Sequence, residues 1–186
     1  MSKHVAIIVG SLREGSYNRK LAQALVGLAP DGLEFTFVGT GALPLYNPDL
    51  DEGTPPEAWT QFRKCLSRAD AVLFVTPEYN RSVPASLKNA LDVGSRPYGA
   101  SVWDGKPTAI VTGSPGGIAG FGANHHLRQS LVFLNAPPMH QPEAYVGNIT
   151  EVLDEEGNII NDGTRDFLRS VMDGFAAWID KLSSAS

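Results

Sequence analysis

His4-Val5-Ala6-Ile7-Ile8-Val9-Gly10-Ser11-Leu12-Arg13-Glu14-Gly15-Ser16-Tyr17-Asn18 is the stretch on which the fold turns. Its first six residues form a short apolar run closed by glycine, the mark of a strand buried on both faces. Beyond the loop, Leu21, Leu25 and Leu28 recur at helical spacing, and Pro30 with Gly32 stops the helix. A buried strand leading through small residues into a helix is the opening of a parallel βαβ unit.

The alternation continues outward from there. Leu33 to Val38 reads as a second strand, rich in β-favouring Phe35, Thr36, Phe37 and Val38. Thr40 to Pro56 is an irregular stretch expected to be a functional surface loop. Pro56 opens a helix with Trp59, Phe62, Leu66 and Ala69 on one face, and Ala71 to Thr76 is a third strand. Pro84 begins a helix carrying Leu87 and Leu91, and Thr108 to Thr112 is a fourth strand ending in Gly113-Ser114-Pro115-Gly116-Gly117. Leu127, Leu131 and Leu134 mark another helix. A fifth strand is expected near Pro138 to His140, at an edge because of its prolines. Val152 to Asn161 reads as a small hairpin, and Thr164 to Leu182 as the last helix. These elements predict an α/β fold in one domain over residues 1–186. The sheet should be parallel, doubly wound and covered on both faces, with its ligand beyond the carboxyl ends of the strands.

Composition narrows the function. Hydrophobic residues make up 42% and charged residues 19%, which excludes wholesale disorder. Fifteen Lys and Arg against 20 Asp and Glu give a net charge of −5, which argues against nucleic acid or an anionic membrane as partner. No apolar run approaches the ~20 residues that span a bilayer. The N-terminus lacks the zones of a signal peptide, so the expected compartment is the cytoplasm. Cys65 is the single cysteine, which excludes an intrachain disulfide and a Cys-cluster zinc site; it is expected to be buried and structural. His125 and His126 are adjacent on a predicted helix and cannot share one metal-binding face, so no metal site is assigned.

The first loop is built for an anion. Ser11, Ser16 and Asn18 bring short polar side chains to a helix N-terminus, Arg13 brings a planar cation, and Gly10 and Gly15 allow a tight backbone path. Ser16 or Asn18 alone would serve as a helix cap, whereas the whole constellation after a central strand points to a phosphate. It is not a dinucleotide fingerprint, and Ser16-Tyr17 stands where an NTPase loop needs Lys-Ser/Thr. A monoester anchor therefore fits better than a triphosphate to be cleaved. In the third loop, Thr76-Pro77-Glu78-Tyr79-Asn80 offers a stiff turn whose backbone can meet a flat heterocycle edge-on, with Tyr79 beside it.

Gly10-Ser11-Leu12-Arg13-x-x-Ser16-x-Asn18, Thr76-Pro77-Glu78-Tyr79-Asn80 and Pro84-x-x-Leu87-Lys88-Asn89-Ala90-Leu91-Asp92 together resemble the NADPH-dependent FMN reductase family. This is the flavodoxin-like group that includes bacterial chromate and quinone reductases and some azoreductases. The resemblance implies a three-layer α/β/α sandwich with a five-stranded parallel sheet in the order 2-1-3-4-5. It implies that Ser11, Arg13, Ser16, Tyr17 and Asn18 hold the FMN phosphate and ribityl chain. Pro77, Glu78, Tyr79 and Asn80 would line the isoalloxazine, and Gly113 and Ser114 would close its other side. It further implies hydride passing from NADPH or NADH through FMN to quinone-like, azo or metal-oxyanion acceptors, without an obligatory side-chain acid or base. The chemistry then belongs to the flavin, and the protein supplies placement and electrostatics, with the backbone of Glu78 counting for more than its carboxylate. A homodimer or homotetramer is implied as well. Arg81 and Val93 stand where relatives often carry aromatic residues; Arg81 would favour either an anionic acceptor or the NADPH phosphate, which leaves the substrate preference open. Trp103 would either cover a neighbouring subunit's flavin or pack a loop, and Lys88 is read as a solvated face. The competing reading is a flavodoxin-type electron carrier, which Arg13 and the modest charge disfavour. A response-regulator domain lacks its carboxylates at Val9-Gly10-Ser11.

Overall fold

The computed structural model describes residues 2–184. Five strands, β1 (Lys3–Val9), β2 (Leu33–Val38), β3 (Ala71–Thr76), β4 (Thr108–Gly113) and β5 (Ala144–Val146), form one sheet in the order 2-1-3-4-5, parallel at every junction. The helices are α1 (Tyr17–Leu28), α2 (Pro48–Asp51), α3 (Glu57–Ser67), α4 (Ala85–Gly94), α5 (Phe121–Phe133), α6 (Ile149–Val152) and α7 (Asp162–Ser183). This is the flavodoxin-like arrangement expected from the sequence.

The sheet divides two apolar layers according to the two-residue alternation of its strands. Val5, Ile7, Leu73, Val75 and Val111 face α1 and α7, meeting Leu21, Leu25, Leu168, Met172 and Phe175. Ala6, Ile8, Val72, Phe74 and Ile110 face α3, α4 and α5, meeting Trp59, Leu66, Leu87, Leu91 and Leu127. Central strands buried on both faces explain why their sequences read as unbroken apolar runs. Prolines set the helix starts: Pro56 and Pro84 stand at the N-caps of α3 and α4. Asn161 caps α7, its Oδ1 accepting from Thr164 N–H at 2.8 Å.

Several expectations are adjusted. The fifth strand lies at Ala144–Val146, not at Pro138–His140. Pro138 makes only an isolated bridge to Thr108, because prolines lack the N–H that would extend a ladder. Pairing resumes only where Ala144 meets Val111. The proposed hairpin near Val152–Asn161 is reduced to one antiparallel bridge, Leu153 to Ile159. Cys65 is half-buried at the edge of the α3 apolar face rather than enclosed. Trp103 is fully buried, its Nε1–H donating to Leu91 O at 3.0 Å, so it packs a loop into the core. Lys88 is half-exposed and pairs with Asp92 one turn on, at 2.7 Å. Among the described residues no helix is long and apolar enough to cross a membrane.

Candidate functional site

Three loops leave the sheet side by side, because β1, β3 and β4 are neighbours in register: Val9 pairs with Val75, and Thr76 with Thr112. Gly10 keeps the first two together, its N–H donating to Val75 O at 2.9 Å. A β-carbon at Gly10 would lie 2.1 Å from Thr76 Oγ1, so only glycine allows β1 to leave the sheet here.

In the first loop Ser16 is buried and caps α1, Oγ accepting from Arg19 N–H at 3.2 Å. None of the N–H groups of residues 11–16 meets an acceptor among the described residues. The N–H groups of Tyr17 and Asn18, the first two of α1, likewise meet no acceptor among the described residues. Arg13 is exposed and has no ion-pair partner among the described residues. Consecutive open donors, a free guanidinium and the positive end of a twelve-residue helix fit a phosphate monoester. Ser11 is half-exposed beside them, and Tyr17 packs half-buried against the α1 side of the core. Asn18 is turned inward: its amide donates to Gly113 O at 3.0 Å, tying α1 to the end of β4. Its Oδ1 is buried without a partner among the described residues.

The third-strand loop is a tight turn. Tyr79 N–H donates to Ser82 O at 2.9 Å and Ser82 N–H to Tyr79 O at 3.0 Å. Asn80 and Arg81 between them both have positive φ, 51° and 64°, the pattern of a type I′ hairpin turn. Both oxygens of the Glu78 carboxylate are engaged within the protein. Oε2 accepts from Ala123 N–H at 3.0 Å at the start of α5, and Oε1 accepts from Arg81 at 3.0 Å. Pro77 is half-buried and Tyr79 and Asn80 are exposed, while the N–H groups of Glu78 and Asn80 remain unengaged among the described residues. Backbone donors are thus available where the sequence reading placed them, and the carboxylate charge is already balanced.

The fourth-strand loop is held from within. Ser114 N–H donates to Val146 O at 2.9 Å, its O accepts from Ile149 N–H, and its Oγ accepts from Gly116 N–H. Gly113 is required by close packing, since a β-carbon would meet Ile149 Cδ1 at 2.7 Å and Asn18 Oδ1 at 2.9 Å. Gly113 and Ser114 therefore position the exposed tip at Pro115–Ile118, which is the part open to a ligand.

Two features at this end escaped the sequence reading. Phe121, His125 and Tyr145 form an aromatic cluster beside the glycine-rich loop, with Phe121 and His125 ring centres 4.2 Å apart. Tyr145 OH and His125 Nε2 share a hydrogen bond at 3.1 Å. Desolvation first, then Glu143, pushes the Tyr145 phenol up to about 12, so it stays protonated. Asn89, buried on α4, clamps the loop after β2: its Oδ1 accepts from Tyr46 N–H, and its Nδ2 donates to Leu43 O and Pro44 O. Neither has a local sequence signature, since each joins residues far apart in the chain.

Comparison with known proteins agrees with this geometry. Residues 4–151 match the family described as NADPH-dependent FMN reductase. A quinone reductase of Pseudomonas putida is 60% identical over 97% of this chain and 96% of its own length. A 2-hydroxy-1,4-benzoquinone reductase of a Burkholderia species is 47% identical over 96% of this chain and 97% of its own. Among solved structures, FerB, a flavoenzyme NAD(P)H:(acceptor) oxidoreductase from Paracoccus denitrificans, superposes with a TM-score of 0.90 at 41% identity, covering 96% of this chain and 98% of that one. With a family match over residues 4–151 and similarity to relatives along nearly the whole chain, this chain belongs to the NADPH-dependent FMN reductase family.

Proposed function

We propose that the whole chain is one FMN-binding domain acting as an NAD(P)H:quinone oxidoreductase. The observation that carries the reading is the run of unengaged N–H groups over residues 11–16 beside the unpaired Arg13. Bound FMN supplies two-electron transfer between a nicotinamide and an acceptor. Ser11, Arg13, Ser16, Tyr17 and Asn18 form the seat for its phosphate and ribityl chain. Ser16 and Asn18 act through the start of α1 they fix, and Ser11 and Arg13 contact the phosphate directly. Pro77, Glu78, Tyr79 and Asn80 present backbone donors to the ring edge, and Gly113 and Ser114 set the opposite loop. Arg81, paired with Glu78 through one guanidinium nitrogen and otherwise exposed, offers its remaining donors to an acceptor, which extends the range from neutral quinones to anionic azo compounds and metal oxyanions such as chromate.

The reading includes a cytoplasmic homodimer or homotetramer. Support for self-association comes from Tyr98 and Phe133, which leave 93% and 89% of their surface exposed around a groove of about 450 Å³ beyond α4 and α5. The test is direct. Purified protein should be yellow, bleach on NADPH or NADH under nitrogen, and recover colour on addition of benzoquinone. A preparation that stays colourless after incubation with excess FMN refutes the reading, and one that holds FMN but is not bleached by either nucleotide is an electron carrier instead.

A further inference from the structure

A second groove lies on the far side of the phosphate loop, between that loop and the carboxyl end of β2. It encloses about 470 Å³ and is lined by Arg13, Arg19, Phe37, Thr40 and the flanking Gly39 and Gly41. It shares Ser11 and Arg13 with the proposed flavin seat, but Ser16, Asn18, the Pro77–Asn80 turn and the Gly113-Ser114 loop do not line it.

Four features of this groove point to an anionic ligand. Arg13 and Arg19 have no carboxylate partner among the described residues, although the chain carries 20 acidic side chains. Arg19 is held over the Phe37 ring, its guanidinium carbon 5.3 Å from the ring centre, which fixes the plane of its donors. Thr40 is 3% exposed, and its Oγ1 has no hydrogen-bond partner among the described residues. An unpaired buried hydroxyl is destabilising, so an apolar residue there would be more stable unless a ligand meets it. Finally, β2 ends in Val38-Gly39-Thr40-Gly41, with no carboxylate. In dinucleotide-binding sheets of a different strand order a carboxylate at the end of the second strand bonds the ribose 2′-hydroxyl of NAD and an arginine accommodates the 2′-phosphate of NADP; only the chemistry of that choice, an arginine for a phosphate, carries over to this groove. Glu14, exposed at the rim, is the one carboxylate lining the groove, and the two arginines outweigh it.

We propose that this groove receives the 2′-phosphate of NADPH, and that Arg19 selects NADPH over NADH. The assignment deepens the oxidoreductase reading above and rests on it. Arg19 offers a planar fork to the phosphate oxygens, Thr40 Oγ1 donates a hydrogen bond, and Arg13 adds charge from the shared wall.

The test compares wild-type holoenzyme with Arg19→Ala and Thr40→Val, using NADPH and NADH with benzoquinone as acceptor and flavin content as a separate readout. Arg19→Ala should raise KM for NADPH about tenfold or more, change KM for NADH less than twofold, and leave one flavin per chain. Adenosine 2′,5′-bisphosphate should compete with NADPH in wild type and weaken by a similar factor in the variant. Thr40→Val should shift KM for NADPH in the same direction by about threefold without lowering Tm, which keeps the test valid if Arg19→Ala disturbs Phe37. Equal losses with both nucleotides overturn the proposal. Flavin loss in Arg19→Ala assigns the groove to the FMN phosphate and overturns it too. Inorganic phosphate competing as well as the bisphosphate leaves a general anion site and likewise overturns it. If wild type holds no flavin, the enzyme reading fails separately, and calorimetry of the bisphosphate on wild type and Arg19→Ala still decides the groove.

Discussion

Asn18 donates its side-chain amide to the main-chain carbonyl of Gly113 at 3.0 Å, across 95 residues of sequence. This bond sets the start of α1 against the end of β4, and so fixes the spacing between the phosphate loop and the glycine-rich loop. Asn18→Ala removes a buried donor and leaves Gly113 O unpaired. Stability in urea should fall by about 1–3 kcal/mol, and the dissociation constant for FMN should rise. Unchanged stability together with unchanged flavin affinity would show that the spacing is held by other contacts.

Arg13 differs in that its side chain makes no ion pair or hydrogen bond among the described residues. Arg13→Ala should leave the thermal midpoint of flavin-free protein within the error expected for a surface substitution, about 0.5 kcal/mol or less. The same variant should lose flavin during gel filtration, measured as the ratio of visible to ultraviolet absorbance. Full flavin retention would remove Arg13 from the phosphate seat.

Arg81 occupies the second position of the turn at φ 64°, where a residue with a β-carbon is strained by roughly 1–2 kcal/mol. Its ion pair with Glu78 is largely exposed on the arginine side and returns at most about 1 kcal/mol. Arg81→Gly should therefore unfold at the same or a higher denaturant concentration. Turnover of an anionic acceptor such as chromate should drop relative to benzoquinone, and an unaltered ratio of kcat/KM values would show that the charge does not face the acceptor.

Asp51 and Arg63 form a bidentate pair, two bonds of 2.8 Å between side chains that are both largely buried. The hydrogen bonds from Arg63 are the largest influence holding the Asp51 carboxyl below its ordinary value. The folded state thus favours the ionised form. This contribution is present in full above the unfolded-state value, near pH 4, and is lost as pH falls through the lower folded-state value. Asp51→Asn should cost about 1–3 kcal/mol at neutral pH and flatten the acid limb of stability against pH. Parallel acid limbs in the two proteins would contradict this.

The sequence was most legible where structure is local. β1, β3 and β4 announce themselves because burial on both faces leaves no polar alternation to obscure them. Pro56 and Pro84 mark helix starts for the same local reason. β5 was misplaced because it has only three residues, and the prolines before it make a bridge without a ladder. At the site, the loop after β1 and the Pro77–Asn80 turn could be located by motif. The inward turn of Asn18, the use of Ser114 inside its own loop, and the capping of α5 by Glu78 could not. Each depends on a partner that only the folded sheet brings near.

The seat of Gly10 against Thr76 also constrains how this chain can change over time. A methyl group at position 10 would fall 2.1 Å from the hydroxyl oxygen of Thr76 and 2.8 Å from its β-carbon, so only loss of the whole side chain at position 76 opens the room for it. The two positions are therefore tied: Gly10→Ala alone is barred, whereas the same change made with Thr76→Gly is sterically accessible. Mutational drift through this corner must travel by way of position 76 first, and randomised libraries that vary position 10 by itself will recover only glycine.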